Sequence, residues 1–307
     1  MPGWRANVGE PVAFNRPPSP DPPDPTALTL LSWNLWVGRG RLLEVIEQIR
    51  SGALSRLGAD PGVPLVVLLQ EAYRSDPSVP PRTNGWAPRE VATRSRPQED
   101  VVEVARRLGL GICYAPSMRT PGERSDRGNA ILASVPLAEP VAVELPFMLQ
   151  RRVALCASIT LGGRCLRLVS AHLDPRGPPG HKWLGSAGRS RQTEHLLSHL
   201  PDDLVLLGAD LNLGRGRAER TWHLLRDAGF AFGVPPTLPT WRHTYHSLPR
   251  LVLDYILVRD RPGVIAKATV ARLDQDPHDR GPNVFGSDHH PLLARVQLAT
   301  PRAGDTA

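Results

Sequence analysis

The chain has 307 residues, with 37 Lys or Arg against 30 Asp or Glu, which gives a formal net charge of +7. Hydrophobic residues make up 41% and charged residues 22%, which is ordinary globular usage and excludes collagen, coiled coils and wholesale disorder. The three cysteines lack Cys-x-x-Cys spacing, which argues against a disulfide framework and a thiolate zinc site. Only two of the 37 basic residues are lysines, a bias typical of GC-rich coding as well as of a phosphate-binding surface.

The chain is predicted to divide into three regions. Residues 1–26 contain eight prolines, which favour extended polyproline conformers, so we predict a disordered arm there. Residues 27–299 carry the patterns of one folded domain, and residues 300–307 predict a short C-terminal tail. We find neither an apolar secretory segment nor a run of about 18 apolar residues. We therefore expect a cytoplasmic protein without a transmembrane segment, and we take it to be a monomer.

Short apolar runs alternate with helical patterns through the folded region. Strands are predicted over residues 27–36, 65–70, 128–134, 153–161, 165–172, 204–209, 251–258 and 292–298. Helices are predicted over residues 41–57, 101–108, 191–200 and 220–228. Strands and helices mixed along one chain indicate an α/β fold in which helices cover sheets.

Polar side chains stand where four of the buried-looking strands end. These side chains are Asn34, Glu71, the pair His172 and Asp174, and the pair Asp210 and Asn212. Asp and Asn commonly end strands in turns, but four such endings are more than turn chemistry alone explains. Because sites in α/β sheets form at the carboxyl ends of strands, we expect these residues to converge.

Asp254 lies within the apolar run 251–258, where a bare carboxylate is costly to desolvate. It therefore needs a partner such as a metal, an arginine or a histidine, unless it faces solvent on an edge strand. Downstream, Asp288 and His289 precede the strand at 292–298. His289 held by Asp254 would be a good general base near neutral pH.

Together these residues suit the hydrolysis of phosphoesters. Glu71, with Asn34 or Asp288, offers the hard oxygen ligands that Mg²⁺ or Mn²⁺ prefers, and such an ion polarises a phosphoryl oxygen. His289 would take a proton from the attacking water, and His172 and Asn212 would donate hydrogen bonds to the transition state. Asp210 could position the water, steady the leaving group or bind a second ion.

The same residues carry a family resemblance. The segments are Ser-Trp-Asn (32–34), Leu-Gln-Glu (69–71), Gly-Asn-Ala-Ile-Leu (128–132), Ser-Ala-His-Leu (170–173), Gly-Ala-Asp-Leu-Asn (208–212), Leu-Asp-Tyr-Ile-Leu (253–257) and Ser-Asp-His-His-Pro (287–291). In this order they resemble the endonuclease/exonuclease/phosphatase superfamily of DNase I-like enzymes, over about residues 28–298.

The resemblance implies a four-layer α/β sandwich of two mixed sheets packed face to face, with helices outside. It also implies that Glu71 is the principal metal ligand, assisted by Asn34 and Asp288, and that His289 pairs with Asp254. By the same analogy His172, Asp210 and Asn212 surround the scissile phosphate. No catalytic position is visibly replaced, which disfavours a non-catalytic binder.

The substrate stays open at this level, because the fold serves many substrates. We expect a phosphodiesterase acting on nucleic acid, and the alternative is a phosphatase or phosphodiesterase for a small or lipid phosphate, such as an inositol phosphate or sphingomyelin. Four side chains are candidates for phosphate contact, with surface or salt-bridge roles as the alternative: Arg127, Asn129, Arg152 and Arg191. Arg191 belongs to an arginine-rich segment, residues 174–192, that follows His172 and is expected to rim the site.

Overall fold

The computed structural model describes residues 7–16, 25–81, 97–120, 123–175, 185–201, 203–236, 241–274 and 284–299. The strands are β1 (Val12–Phe14), β2 (Ala27–Asn34), β3 (Leu65–Ser75), β4 (Gly111–Arg119), β5 (Ser125–Ala133), β6 (Ala138–Glu144), β7 (Val153–Leu161), β8 (Arg164–His172), β9 (Leu204–Asp210), β10 (Phe230–Ala231), β11 (Asp254–Asp260), β12 (Ile265–Arg272) and β13 (Leu292–Leu298). The helices are α1 (Leu42–Arg50), α2 (Val101–Leu108), α3 (Ser186–Leu197) and α4 (Arg220–Asp227).

The strands form two mixed sheets. One has seven strands in the order β1-β4-β5-β3-β2-β13-β12, and the other has six in the order β10-β11-β9-β8-β7-β6. Each sheet contains a parallel pair, β2 with β3 and β8 with β9, among antiparallel neighbours. The carboxyl ends of these two parallel pairs carry the strand-end residues singled out from the sequence.

Three apolar clusters separate the layers, and the period of two along each strand builds them. On β2, Leu28 and Leu30 belong to the cluster between the sheets, whereas Leu31 and Trp33 belong to the cluster beneath α1 and α2. A third cluster joins the six-stranded sheet to α3 and α4. Each fully buried leucine or valine contributes about 1.5–3 kcal/mol relative to an exposed one. The predicted four-layer α/β sandwich is confirmed.

The helices cover the sheets for local reasons that the sequence shows. In α1, the residues Leu42, Val45, Ile46 and Ile49 are buried at helical spacing and form one apolar face. At the start of α2, the Asp100 side chain accepts hydrogen bonds from the backbone N–H groups of Val102 and Glu103. Among the helices of the described ranges, none combines the length and apolar character that crossing a membrane requires.

The arm expected to be disordered over residues 1–26 needs correction within its described part. Residues 12–14 form β1, which pairs antiparallel with β4 at the edge of the seven-stranded sheet. The Gly9 N–H donates to the Asp126 carboxylate over 2.8 Å, and the buried Arg74 guanidinium donates to the Glu10 carbonyl over 2.6 Å. Pairing with β4 and hydrogen bonds to the buried Asp126 and Arg74 side chains therefore hold residues 9–14, which the proline content alone predicted to be disordered. The proline-rich residues 17–24 and the tail at 300–307 lie outside the described residues.

Candidate active site

Asp210, the last residue of β9, joins the ends of strands from both sheets. Its Oδ2 accepts a hydrogen bond from Asn34 Nδ2 at 2.8 Å and lies 3.3 Å from His172 Nε2. Its Oδ1 accepts the backbone N–H of Asn212 at 3.0 Å. In the antiparallel pairing of β9 with β11, Asp210 stands opposite Asp254. The structure thus brings Asn34, His172, Asp210 and Asn212 together, whereas the Asp174 carboxylate accepts the N–H groups of Leu149 and Gln150.

His289 is held by Asp254 and by its own backbone. Its Nδ1 lies 2.8 Å from Asp254 Oδ2, the Trp33 indole donates to its carbonyl at 2.8 Å, and its N–H donates to Ser287 Oγ at 3.1 Å. The second ring nitrogen, Nε2, is 3.9 Å from Asp210 Oδ2, too far for a direct hydrogen bond. Nδ1 is therefore engaged by Asp254, while Nε2 is directed toward the acidic residues of the site.

Acidic neighbours govern the protonation of this histidine. Burial lowers the pKa of His289, but the charges of Asp254 and Asp210 outweigh burial and raise that pKa to about 10. Burial and the charge of Asp254 raise the pKa of Asp210. Two carboxyl groups, Asp254 and Asp210, therefore interact with the same imidazole, and any charged group bound beside them would change its pKa.

His172 has a defined tautomer because Arg152 is its neighbour. Arg152 Nη1 lies 2.9 Å from His172 Nδ1, and a guanidinium can only donate, so Nδ1 accepts. Burial and the charge of Arg152 lower the pKa of His172 well below its usual value, so the ring is neutral. Its remaining proton is on Nε2, which faces Asp210 Oδ2. The proton of His172 is therefore on Nε2, near Asp210 and not hydrogen-bonded to it, and the role of His172 as a donor to the phosphate stays a prediction.

Glu71 occupies a strained position that points to function. It has a left-handed backbone with φ of +49°, and it sits where the pairing of β3 with β5 shifts between Leu69 and Ala72. Bulges of this kind redirect side chains next to active sites, and a non-glycine residue in this conformation persists only where its surroundings impose it. The half-buried Glu71 lines a small pocket with His172, Arg127 and Arg152.

The residues that could hold a divalent cation fit that task. Burial and the nearby charge of Glu71 raise the pKa of Asp288 to about 6. Among the described residues, Asp288 Oδ1 has no hydrogen-bond partner. Asn34 Oδ1 accepts the Trp36 N–H at 3.0 Å, which fixes the amide and leaves one lone pair. Glu71 and Asp288 supply two carboxylates that repel each other, and Asn34 supplies an oriented amide oxygen. These are the hard donors that Mg²⁺ or Mn²⁺ prefers.

The candidate phosphate-contact residues separate into two groups. Arg127 and Arg152 are buried at 5% and 3% exposure and line the same pocket as Glu71. Asn129 also lines it, but its amide nitrogen donates to the carbonyls of Val153 at 2.7 Å and Ser170 at 3.0 Å, which joins the two sheets. Arg191 is exposed on α3, and within the described ranges we find no hydrogen bond between it and the cluster. The rest of its loop, residues 176–184, lies outside the described residues.

Several residues that support the site were missed in the sequence. The Gln70 side chain donates to Gly208 O and Ser170 Oγ, both at 3.2 Å, across the sheets. Thr244 Oγ1 accepts the N–H groups of Leu253 and Asp254, which fixes the start of β11. Gln70 stands inside the Leu-Gln-Glu segment and could have been noticed there. Thr244 carries no local signal, because its partners are set by the tertiary fold.

Two facing mixed sheets with a carboxylate, histidine and amide cluster at their strand ends define a DNase I-like hydrolase fold. A family model described as the Endonuclease/Exonuclease/phosphatase family matches residues 31–289, and the chain belongs to this family. It is accordingly a metal-dependent phosphoric ester hydrolase. No curated protein sequence matches the chain.

Solved structures agree on the fold. D. rerio TDP2, complexed with single strand DNA product, is 18% identical with a TM-score of 0.52 and covers 89% of this chain and 99% of its own. The human Nocturnin catalytic domain, with bound sulfate, is 17% identical with a TM-score of 0.56 and covers 94% and 98%. A family protein from Leptotrichia buccalis is 12% identical with a TM-score of 0.54 and covers 89% and 100%. At these identities the likeness supports the architecture.

Proposed function

We propose that the chain is a phosphodiesterase that acts on nucleic acid and uses His289 as its general base. The observation that carries this proposal is the array Asp254–His289–Asp210, with Nδ1 of the imidazole 2.8 Å from one carboxylate and Nε2 3.9 Å from the other. An imidazole oriented on one nitrogen and free to exchange a proton on the other is the arrangement that general base catalysis requires.

In this mechanism His289 Nε2 accepts a proton from the water that attacks the phosphorus. Asp254 keeps the Nδ1 proton in place and stabilises the imidazolium that forms, so it acts as a positioning residue. The phosphorus–oxygen bond to the leaving group breaks, and Asp210 lies where it can orient the attacking water. His172 Nε2 lies 3.3 Å from Asp210 Oδ2 and would donate to a phosphoryl oxygen.

Glu71, Asn34 and Asp288 would hold the divalent cation, for which we propose Mg²⁺ or Mn²⁺. Such a cation polarises a phosphoryl oxygen and offsets the charge that develops in the transition state. Asp254 and Asp210 raise the pKa of His289 most, and Asp288, 3.8 Å from Nε2, adds to the effect. A cation that offset the charge of Asp288 would therefore lower that pKa and favour the neutral ring.

Positive and amide groups on the other side of the pocket would bind the phosphate. Arg127 and Arg152 line the pocket with Glu71 and contribute fixed positive charge beside it. Asn212 has a left-handed backbone with φ of +51°, and its amide nitrogen donates one hydrogen to Leu173 O at 3.0 Å. Its second amide hydrogen is the remaining donor for a phosphoryl oxygen.

Nucleic acid is the favoured substrate because the net charge of +7 attracts a polyanion and because buried arginines line the site. The test compares kcat/KM for DNA, RNA, abasic DNA, phosphoinositides and sphingomyelin with Mg²⁺ or Mn²⁺. We expect DNA or RNA to be the best substrate. A preference for sphingomyelin or phosphoinositide would overturn the nucleic-acid assignment and leave the hydrolytic chemistry standing.

The roles of His289 and Glu71 are tested by His289→Ala and Glu71→Gln. Each should lower kcat by about 10²–10⁴-fold, since one removes the base and the other the principal metal ligand. His223→Ala and Glu103→Gln are matched controls, because both side chains are exposed on α4 and α2. Near-normal turnover in either site variant would refute the assigned role.

A further inference from the structure

Three histidines outside the proposed catalytic set meet beside it. His243 and His246 precede β11, and His290 follows His289. Their ligand nitrogens all lie within 4.8 Å of one another. The backbone sets this geometry, because His290 N–H donates to Thr244 O at 2.8 Å and His246 N–H donates to Asp288 O at 2.7 Å. Two separate segments of the chain thus present three imidazoles to one point.

Two ring nitrogens of these histidines have no hydrogen-bond partner among the described residues. His290 Nδ1 lies 3.1 Å from both Leu273 O and Asp274 Oδ1, so it carries the proton and donates. The Nε2 atom of His290 then holds a lone pair. The side chain is only 5% exposed, and Nε2 has no hydrogen-bond partner among the described residues. His246 Nδ1 is also buried without a hydrogen-bond partner among the described residues. Unsatisfied buried nitrogens of this kind are rare in folded proteins.

Burial and nearby charges favour the neutral form of the His243 and His246 rings. Burial and the charge of Arg272 lower the pKa of His243 to about 4, and burial and the proximity of His290 lower the pKa of His246. Arg250 adds to both effects. The cation of Arg272 is offset by Asp274, whose carboxylate lies 2.7 Å away. Neutral imidazoles are the form in which histidine binds metals.

We propose that His243, His246 and His290 bind a zinc ion that joins the two segments. Three imidazoles with an open fourth position form a known type of zinc site, and tetrahedral geometry at about 2.0–2.1 Å needs nitrogens about 3.3 Å apart. Small rotations of the half-buried His243 and His246 side chains would bring the nitrogens to this separation. Asp274, on the Nδ1 proton of His290, is the outer carboxylate that orients a zinc-bound histidine.

This site differs chemically from the proposed catalytic one. Imidazole suits zinc, whereas the carboxylates and amide at Glu71, Asp288 and Asn34 suit Mg²⁺. The zinc would fix the loop that carries Tyr245, whose ring centroid lies 5.0 Å from that of His289. It would therefore hold the histidine segment against the start of β11, with its fourth position open to water.

The test is a zinc titration of the full chain, stripped of metal and then saturated with Mg²⁺, in competition with a chromogenic chelator. We expect one tightly bound zinc that survives in Glu71→Gln. His243→Asn and His246→Asn should each weaken it by at least about tenfold. Asp274→Asn should weaken it by about 10–100-fold. Replacing zinc by Co²⁺ should give the visible spectrum of a tetrahedral site in the native chain and lose it in His246→Asn.

The matched control is His195→Asn with His199→Asn, which removes another close pair of rings, 4.4 Å apart, from α3 and the turn that follows it. Zinc binding should persist in it. The proposal would be overturned if His243→Asn and His246→Asn kept the zinc while this control or Glu71→Gln lost it. Absence of a tightly bound zinc in the native chain would overturn it as well. Melting curves in chelator show whether each variant is folded, so a folded variant that keeps its zinc counts against the site.

Discussion

Asp210 shows how much of the site depends on the surroundings of single residues. The Asn34 amide and the Asn212 N–H donate to its carboxylate, His172 Nε2 lies 3.3 Å from it, and Asp254 stands opposite it in the sheet. Burial and the charge of Asp254 raise its pKa, so the same side chain that organises the site also competes with His289 for a proton. Pairs of groups whose environments shift their pKa values apart are typical of acid–base sites.

The charge of Asp254 can be tested apart from its shape. Asp254→Asn keeps the size of the side chain but removes the charge that stabilises the imidazolium and fixes its tautomer. We expect kcat to fall by about 10³-fold or more with little change in KM. Steady-state kinetics with excess Mg²⁺ measures the change. Asp227→Asn, at an exposed carboxylate of α4, is the control, and an equal effect in both variants would remove Asp254 from the mechanism.

Residue identities in the site could be predicted from strand-end positions, but their hydrogen bonding could not. Asn34, Glu71, His172, Asp210 and Asp254 were all expected to meet, and they do so. The direction of the His172 proton depends on Arg152, which lies 20 positions away in the chain. Such a tautomer is decided by a tertiary contact, for which a single sequence holds no local signal.

At the level of elements, the apolar pattern predicted some strands and missed others. The limits predicted for β7, α2 and β13 agree with the structure, because each has apolar residues at a regular period. The edge strands β1, β6, β10 and β12 were not predicted, and edge strands commonly lose the apolar pattern. The buried interior strand β4 was also missed. The predicted helix over 41–57 ends at Arg50, and Gly52 beyond it has a φ of +77°, which a helix does not accommodate.

The N-terminal segment with β1 should contribute to stability. Deleting residues 1–16 removes the pairing with β4 and the hydrogen bonds from Gly9 to Asp126 and from Arg74 to Glu10. Hydrogen bonds to charged groups contribute about 1.5–3 kcal/mol each, so the free energy of unfolding should fall by at least about 3 kcal/mol. Urea unfolding measures it. Deletion of residues 300–307 is the control, and equal stability of the two truncated chains would contradict the role of β1.

At the scale of the whole molecule, cation binding and stability should be linked. A divalent cation held by Glu71 and Asp288, as we propose, would relieve the repulsion between them and would bind the folded state only. At about 100 times the Kd, such a ligand stabilises the fold by about 2.7 kcal/mol. Adding Mg²⁺ to the metal-stripped chain, with no zinc present, should therefore raise Tm by several degrees and restore turnover. Glu71→Gln should lose the Tm response, and turnover that survives EDTA would contradict the metal assignment.

The pairing of β13 between β2 and β12 has a consequence for synthesis on the ribosome. The site takes Asn34 from one early strand and His289 from the segment just before β13, so a partly made chain would carry the proposed metal ligand Asn34 without the proposed base. Translation at about 5–20 residues per second leaves more than ten seconds before residue 289 is made. During that time the chain lies close to messenger RNA and ribosomal RNA. The proposed phosphodiesterase would be unable to cleave that RNA until residue 289 has been made.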